Sequence, residues 1–244
     1  MPITWETRDR IDRLLKPFGR QSWADTVLDI ARGQLSARTD SVVLEAGCGR
    51  ECWITRKLRQ EGLKMRVLGV DVDKACLKNA DVDEAMVGSL VDIPLESESV
   101  DLIMCGFVFE HLDNPDSAIR ELARVLKPGG LFITWTTNKW NPTMVASALT
   151  SQHIHTFFRR MTWGVEHADN ARTYYKLNTP AAIKMAASKA GLIKDYSGLF
   201  SYAYAYFQMT SFTYVAACVV NKLAAFWPLS KLRLVLLWTL RKPE

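Results

Sequence analysis

Cysteine, clustered positive charge and unbroken hydrophobic runs are all scarce in this chain of 244 residues. The five cysteines stand at 48, 52, 76, 105 and 218 with no Cys-x-x-Cys pair. An odd count without that spacing argues against a disulfide framework or a zinc site, so reduced, buried thiols and no metal are expected. The first ten residues carry Glu6, Arg8, Asp9 and Arg10 and no apolar h-region. No secretory signal is therefore expected, and the expected location is cytoplasmic. The formal charge is +5, divided as +2 over residues 1–38, −1 over 39–198 and +4 over 199–244. A neutral middle offers no basic stripe for phosphates, and there is no Asn/Asp-Pro-Pro-Tyr/Phe motif, so no nucleic-acid partner is expected. Internal repeats and low-complexity tracts are absent as well.

The longest uncharged run lies between Asp195 and Lys222 and has 26 residues. Its length would suit a membrane span, but Ser197, Gly198, Ser201, Gln208, Thr210, Ser211 and Thr213 interrupt it, so no span is expected. Within it Phe212, Val215, Ala216, Val219 and Leu223 share one helical face. Lys222, Lys231, Arg233, Arg241 and Lys242 lie around or after that face. Such a stripe packs on a core or in a homodimer, or it rests on an anionic membrane surface as a peripheral contact through 209–242. Core or dimer packing is the favoured reading.

What the chain does have is enough apolar content, 48%, for one large domain over 1–244. Residues 1–38 read as N-terminal helices. Ile11, Leu14 and Leu15 mark the first, which Pro17 and Gly19 end. Ser22 caps the second, with Trp23, Val27, Leu28, Ile30 and Ala31 at helical spacing. From residue 40 short apolar runs (42–44, 67–70, 85–87, 100–105, 131–133) alternate with helical stretches (51–61, 74–80, 115–126). That alternation predicts an α/β fold: a Rossmann-like, open, mostly parallel seven-stranded sheet with helices on both faces. The Lys127-Pro128-Gly129-Gly130 segment reads as a turn between a helix and a strand. Residues 138–180 read as a helical and aromatic insertion on the acceptor side, and 181–244 as C-terminal helices and strands. Among these, a helix over 180–190 ends at Gly191, and strands follow near 192–197 and 234–240.

The most informative stretch is Val43-Leu44-Glu45-Ala46-Gly47-Cys48-Gly49, a buried strand running into a glycine turn. Glycine there lets backbone approach a ligand where a Cβ would clash, and strand carboxyl ends are where open α/β sheets bind ligands. A dinucleotide fingerprint would need a third glycine at 52, where Cys52 stands, so NAD is disfavoured. Asp71 ends the second strand. Gly88-Ser89-Leu90 follows the third, 101–105 forms the fourth, and Glu121 to Gly130 leads to a fifth. In this order the stretch 40–137 resembles the class I S-adenosylmethionine (SAM) dependent methyltransferases. Within them it is most similar to the type-eleven group that includes ubiquinone and menaquinone biosynthesis enzymes.

The resemblance implies SAM as cofactor and a small-molecule acceptor as partner. It implies that Glu45, Gly47, Cys48 and Gly49 hold the methionine part and Asp71 the ribose, with Val72 beside the adenine. Ser89 and Leu90 would read the adenine edge, and Cys105, Gly106 and Phe107 would line the methyl-donor channel. Two positions depart from the family pattern: Glu51 stands where many relatives have a third glycine, and Ser89 where they often have Asp. On the acceptor side, Glu110 is a candidate contact after the fourth strand. Tyr174, Tyr175 and Lys176 are further candidates, just before Asn178, Thr179 and a Pro180 helix start. His111, His153 and His155 are candidate general bases, since an ordinary imidazole titrates near ~6.5. An oxygen acceptor is favoured for that reason, although transfer from a sulfonium needs little beyond in-line alignment. A catalytically silent SAM-binding regulatory module and a membrane-surface lipid or quinone methyltransferase are the alternatives.

Overall fold

The computed structural model describes Thr7, 22–37, 40–142, 144–145, 172–200, 211–212, 215–216, 219 and 229–244. His153, His155 and His167, the first N-terminal helix and all of 146–171 lie outside the described residues, as does much of the 209–242 segment. Seven strands form one sheet: β1 (Ser41–Ala46), β2 (Met65–Asp71), β3 (Glu84–Val87), β4 (Val100–Gly106), β5 (Leu126–Thr137), β6 (Ile193–Phe200) and β7 (Val235–Arg241). Their spatial order is β3-β2-β1-β4-β5-β7-β6. The first five pair in parallel. The Gly129 amide donates to the Lys242 carbonyl at one end of β5, and the Asn138 amide to the Leu234 carbonyl at the other. Rising numbers on β5 thus meet falling numbers on β7, which makes that pair antiparallel.

β1 and β4 are almost wholly buried, as strands covered on both faces must be, and their Val, Leu and Ile runs reflect it. Four described helices flank them. α1 (Trp23–Ser36) starts with a reciprocal capping box between Ser22 and Asp25 and buries Trp23, Val27, Leu28, Ala31 and Leu35. α2 (Trp53–Gln60) follows the glycine turn, and α3 (Pro115–Val125) is capped by Asn114. α4 (Pro180–Lys189) is capped by the Thr179 hydroxyl, with Pro180 in its first turn.

Two local expectations are corrected. The stretch 74–80 is no α-helix but a 3-10 turn over Lys74–Lys78, started by Asp73, whose carboxylate accepts the Ala75 amide. Lys127-Pro128-Gly129-Gly130 belongs to β5 itself, with a register shift against β4 between Val100 and Leu102. Proline is tolerated at such an irregularity, and Gly129 takes a φ of 69° there.

The chain divides into two compact units. One comprises Ser22–Thr136, Thr173–Gly198 and Leu236–Glu244, and holds nearly all of the sheet. The other comprises Met1–Gln21, Thr137–Arg172 and Leu199–Val235. Within the second, the Asn138 side chain donates to the carbonyls of Lys231 and Arg233, and Asn141 to that of Leu232. The strand order reverses beside β1, where the chain has moved out to β3 and returns as β4. Open α/β sheets bind ligands at such a switch point, outside the strand carboxyl ends.

Candidate active site

β1 leaves the sheet through Gly47 at φ 77° and Gly49 at φ 49°. The amides of Gly47 and Cys48 both donate to the Val70 carbonyl, at 2.8 and 3.2 Å, which hooks the turn onto β2. A Cβ at position 47 would stand 2.3 Å from a Val108 methyl. Backbone geometry and a close neighbour therefore both demand glycine there.

Asp71, at the end of β2, accepts the Gly49 amide at 2.9 Å on one oxygen and the Asp73 amide at 2.8 Å on the other. Each carboxylate oxygen keeps lone-pair capacity for a further donor. Val72 beside it is 72% exposed. Ser89 and Leu90 follow β3 in a tight turn closed by the Asp92 amide on the Ser89 carbonyl, with the Leu90 side chain buried.

Glu45 is buried in β1 and accepts the Thr55 hydroxyl from α2. Burial pushes its carboxyl up to about 7, against the opposing pull of the Thr55 hydrogen bond. The Cys48 thiol is pushed up to about 12 by burial, and the Cys52 thiol is raised as well. Neither is poised as a nucleophile. Glu51 does not close the crevice. Its side chain is 68% exposed and pairs with Arg56 at 3.0 Å.

At the end of β4, Cys105 is fully buried, which leaves Gly106 and Phe107 as the partly open positions. A Cβ on Gly106 would lie 2.3 Å from the Trp135 indole. Phe107 has a φ of 55° and donates its amide to the Trp135 carbonyl at 2.7 Å. Trp23 packs its ring against Trp53, Phe107 and Trp135 at centroid distances of 6.0, 5.7 and 5.7 Å. This aromatic group joins α1, the start of α2 and the ends of β4 and β5, beside the glycine turn.

Glu110 is buried, and its carboxylate accepts the Thr136 hydroxyl at 2.6 Å. The same hydroxyl accepts from Asn178 at 2.8 Å. Burial holds the Glu110 carboxyl above its ordinary range. Its backbone carbonyl accepts the amides of Tyr174 and Tyr175 at 2.7 and 3.2 Å. Glu110 is thus an anchor for the segment 174–178, with its carboxylate turned inward. Lys176 donates to both the carboxylate and the carbonyl of Asp113 at 2.6 Å and lies 5.3 Å from the centre of the Tyr174 ring. His111 is partly exposed in the 3-10 turn Phe109–His111.

The structure therefore gathers Glu45, Gly47, Cys48, Gly49 and Asp71 into one network, and Gly106 and Phe107 into the aromatic group. Sequence reasoning missed Asn79 and Asp81. The buried Asn79 amide group donates to the carbonyls of Cys48 and Gly49 at 2.9 and 3.3 Å. Asp81 accepts the Cys52 amide at 2.7 Å and holds Arg56 through two contacts of 2.8 Å. Neither sits at a motif position, and their partners in the turn and α2 lie some 25 to 31 residues away, so no spacing announces them.

A methyltransferase-domain family model matches residues 44–134, the stretch that contains these elements. Over that stretch the chain is similar to methyltransferase domains, and the sheet and its helices have the Rossmann-like methyltransferase fold. The family uses SAM, and a glycine turn tied to a carboxylate with spare acceptor capacity fits an adenosyl amino acid.

A probable SAM-dependent methyltransferase of Mycolicibacterium smegmatis is 36% identical over 101 residues, covering 40% of this chain and 38% of that protein. Demethylmenaquinone methyltransferase of Staphylococcus saprophyticus is 24% identical over 138 residues, covering 54% and 58%. The chain thus spans well under two thirds of these relatives' length. Geranyl diphosphate C-methyltransferase of Streptomyces coelicolor, solved with Mg2+, geranyl diphosphate and S-adenosyl-L-homocysteine, shares the fold at a TM-score of 0.57 and 15% identity, covering 95% of this chain and 88% of that one. Among the described residues no helix is long and apolar enough to cross a membrane, and no side-chain cluster could hold a metal ion.

Proposed function

We propose that this chain transfers a methyl group from SAM to a small-molecule acceptor with a hydrophobic body. The observation that carries the reading is the convergence, at the carboxyl ends of β1 and β4, of an anion-tied glycine turn and an aromatic wall. Glu45 and the Gly47–Gly49 turn take the methionine part, and Asp71 takes the ribose hydroxyls. Val72, Ser89 and Leu90 border the adenine. Gly106 and Phe107 face the reacting methyl. Bound SAM supplies an electrophilic methyl, which the acceptor takes by in-line displacement to leave S-adenosylhomocysteine.

The chain's own contribution is alignment and exclusion of water, terms that by themselves are worth about 7–11 kcal/mol in well-oriented systems. Trp53 and Phe107 supply hydrocarbon and ring surface for the acceptor body. Two proteins similar to this chain are named for demethylmenaquinone and geranyl diphosphate, both rich in hydrocarbon. Oxygen is the favoured acceptor atom, with His111 taking its proton. Tyr174 and Tyr175 border the acceptor, on the segment that Glu110 anchors.

The test is incubation of the protein with SAM and fractionated small-molecule extract, read by mass spectrometry. Formation of S-adenosylhomocysteine together with a product heavier by one methyl group is expected. Binding of SAM without turnover in every fraction would instead favour the silent regulatory module. Peripheral contact of 209–242 with a membrane belongs to the same proposal, supported by the exposed Phe212, Val215 and Val219. Cosedimentation with anionic vesicles tests it, and self-association without vesicles would point to the homodimer.

A further inference from the structure

We propose that Asn79 is a positioning residue that shapes the glycine turn for the amino-acid end of the donor. The proposal rests on the donor-site reading above and extends it to a residue outside every motif.

Asn79 follows the 3-10 turn after β2, and its side chain is buried against the glycine turn and the residue before α2. Its amide group is fully used. The nitrogen donates to the Cys48 carbonyl at 2.9 Å and the Gly49 carbonyl at 3.3 Å, and reaches the Cys52 sulfur at 3.4 Å. The oxygen accepts the Asp81 amide at 2.9 Å. Two successive carbonyls of the turn are therefore held toward one side chain.

A trans peptide points its N–H opposite to its C=O. Fixing the carbonyl of residue 48 turns the Gly49 amide toward Asp71, where it is found at 2.9 Å. Fixing the carbonyl of residue 49 turns the Arg50 amide away from Asn79 in the same manner. Gly47 and Cys48 spend their amides on the Val70 carbonyl and Gly49 spends its own on Asp71, so the donor that Asn79 orients for a ligand carboxylate is the Arg50 amide.

Asp81 completes the clamp from two residues on. It holds the Cys52 amide and the Arg56 guanidinium, and Arg56 in turn keeps Glu51 outside. At the adenosine end Asp71 is also held by the Asp73 amide, and the β3 turn is closed by its own Asp92–Ser89 bond, so that end keeps supports that do not pass through Asn79. The clamp therefore acts on one end of the ligand.

Two ligands separate the ends. S-adenosylhomocysteine has the amino-acid part, and 5′-methylthioadenosine keeps the adenosine and sulfur without it. Dissociation constants for both are measured calorimetrically on the full chain and on Asn79→Ala and Asn79→Asp. The second variant preserves volume and sets a carboxylate against two carbonyl oxygens. Each variant is expected to weaken S-adenosylhomocysteine about tenfold or more, as loss of a buried hydrogen-bonded support does. The constant for 5′-methylthioadenosine is expected to stay within about twofold.

Unchanged affinity for S-adenosylhomocysteine in either folded variant overturns the proposal. Equal losses for both ligands overturn it too, since they would make Asn79 a general support of the fold. A wild-type chain that binds neither ligand sinks the donor-site reading itself, and this proposal with it.

Discussion

The Gly49 amide and the Asp71 carboxylate meet at 2.9 Å, so the turn that leaves β1 is fastened to the acid that closes β2. The two strands run parallel and paired from Ser41–Met65 to Ala46–Val70, which delivers the two groups to the same end of the sheet. One side chain shapes the loop and, in the proposed function, also offers acceptor oxygens to the ribose.

Asp71→Ala removes both. The dissociation constant for SAM should rise at least about tenfold, equivalent to ~1.4 kcal/mol. Asp71→Asn keeps an oxygen for the Gly49 amide and should lose less. Calorimetric titration of both variants checks the order.

Gly47→Ala places a methyl 2.3 Å from Val108 at a φ of 77°. Left-handed backbone costs a non-glycine residue about 1 kcal/mol, and overpacking adds about 1–3 kcal/mol. Denaturant unfolding should show that loss. Adding Val108→Ala should recover the overpacking part and leave the backbone part.

Glu45 gives the chain a pH signature. Its folded value of about 7 lies above the ordinary 4.5, so the folded state holds a proton that the unfolded state releases between these values. The stabilising contribution is complete below about pH 4.5 and is lost as pH rises through about 7. At pH 8.5 the ionised, buried carboxylate costs on the order of 3 kcal/mol. Glu45→Gln should therefore gain on wild type at pH 8.5 and show little gain at pH 4.5, measured by urea unfolding at both.

Trp53 is 43% exposed while its ring touches the buried Trp23. Trp53→Ala should leave the affinity for S-adenosylhomocysteine within about twofold and raise KM for an apolar acceptor about fivefold or more, as loss of an aromatic contact does. Steady-state kinetics with an acceptor from the extract screen reads this. A loss confined to kcat would contradict the wall.

Thr136→Val deletes the hydroxyl that Glu110 accepts and Asn178 donates to. A stability loss of about 2 kcal/mol is expected, with fraying of 174–178 visible as faster amide exchange.

The strands and the glycine turn were legible in the sequence because burial on both faces writes continuous runs such as Val42-Val43-Leu44, and because a positive φ next to a close neighbour leaves glycine as the residue that fits. Order along the chain also singled out Gly47, Gly49 and Asp71, which the structure joins in one network. What stayed hidden depends on partners distant in sequence. Glu110 looks like an acceptor contact until Thr136 is seen beside it. Pro128 and Gly129 look like a turn, because the register shift against β4 and the pairing of Gly129 with Lys242 exist only in the folded sheet. Trp23, Trp53 and Trp135 have no common spacing, yet Trp23 packs against both of the others and Trp135 occupies the space that a Cβ on Gly106 would need.

The most direct measurement is a crystal structure of the chain grown with S-adenosylhomocysteine. The ribose hydroxyls should lie within hydrogen-bond reach of Asp71 and the sulfur should lie beside Gly106 and Phe107. The homocysteine carboxylate should meet the Arg50 amide at the end of the glycine turn. Ligand density at another place, or a crevice that stays empty at saturating ligand, would contradict the assignment of this site.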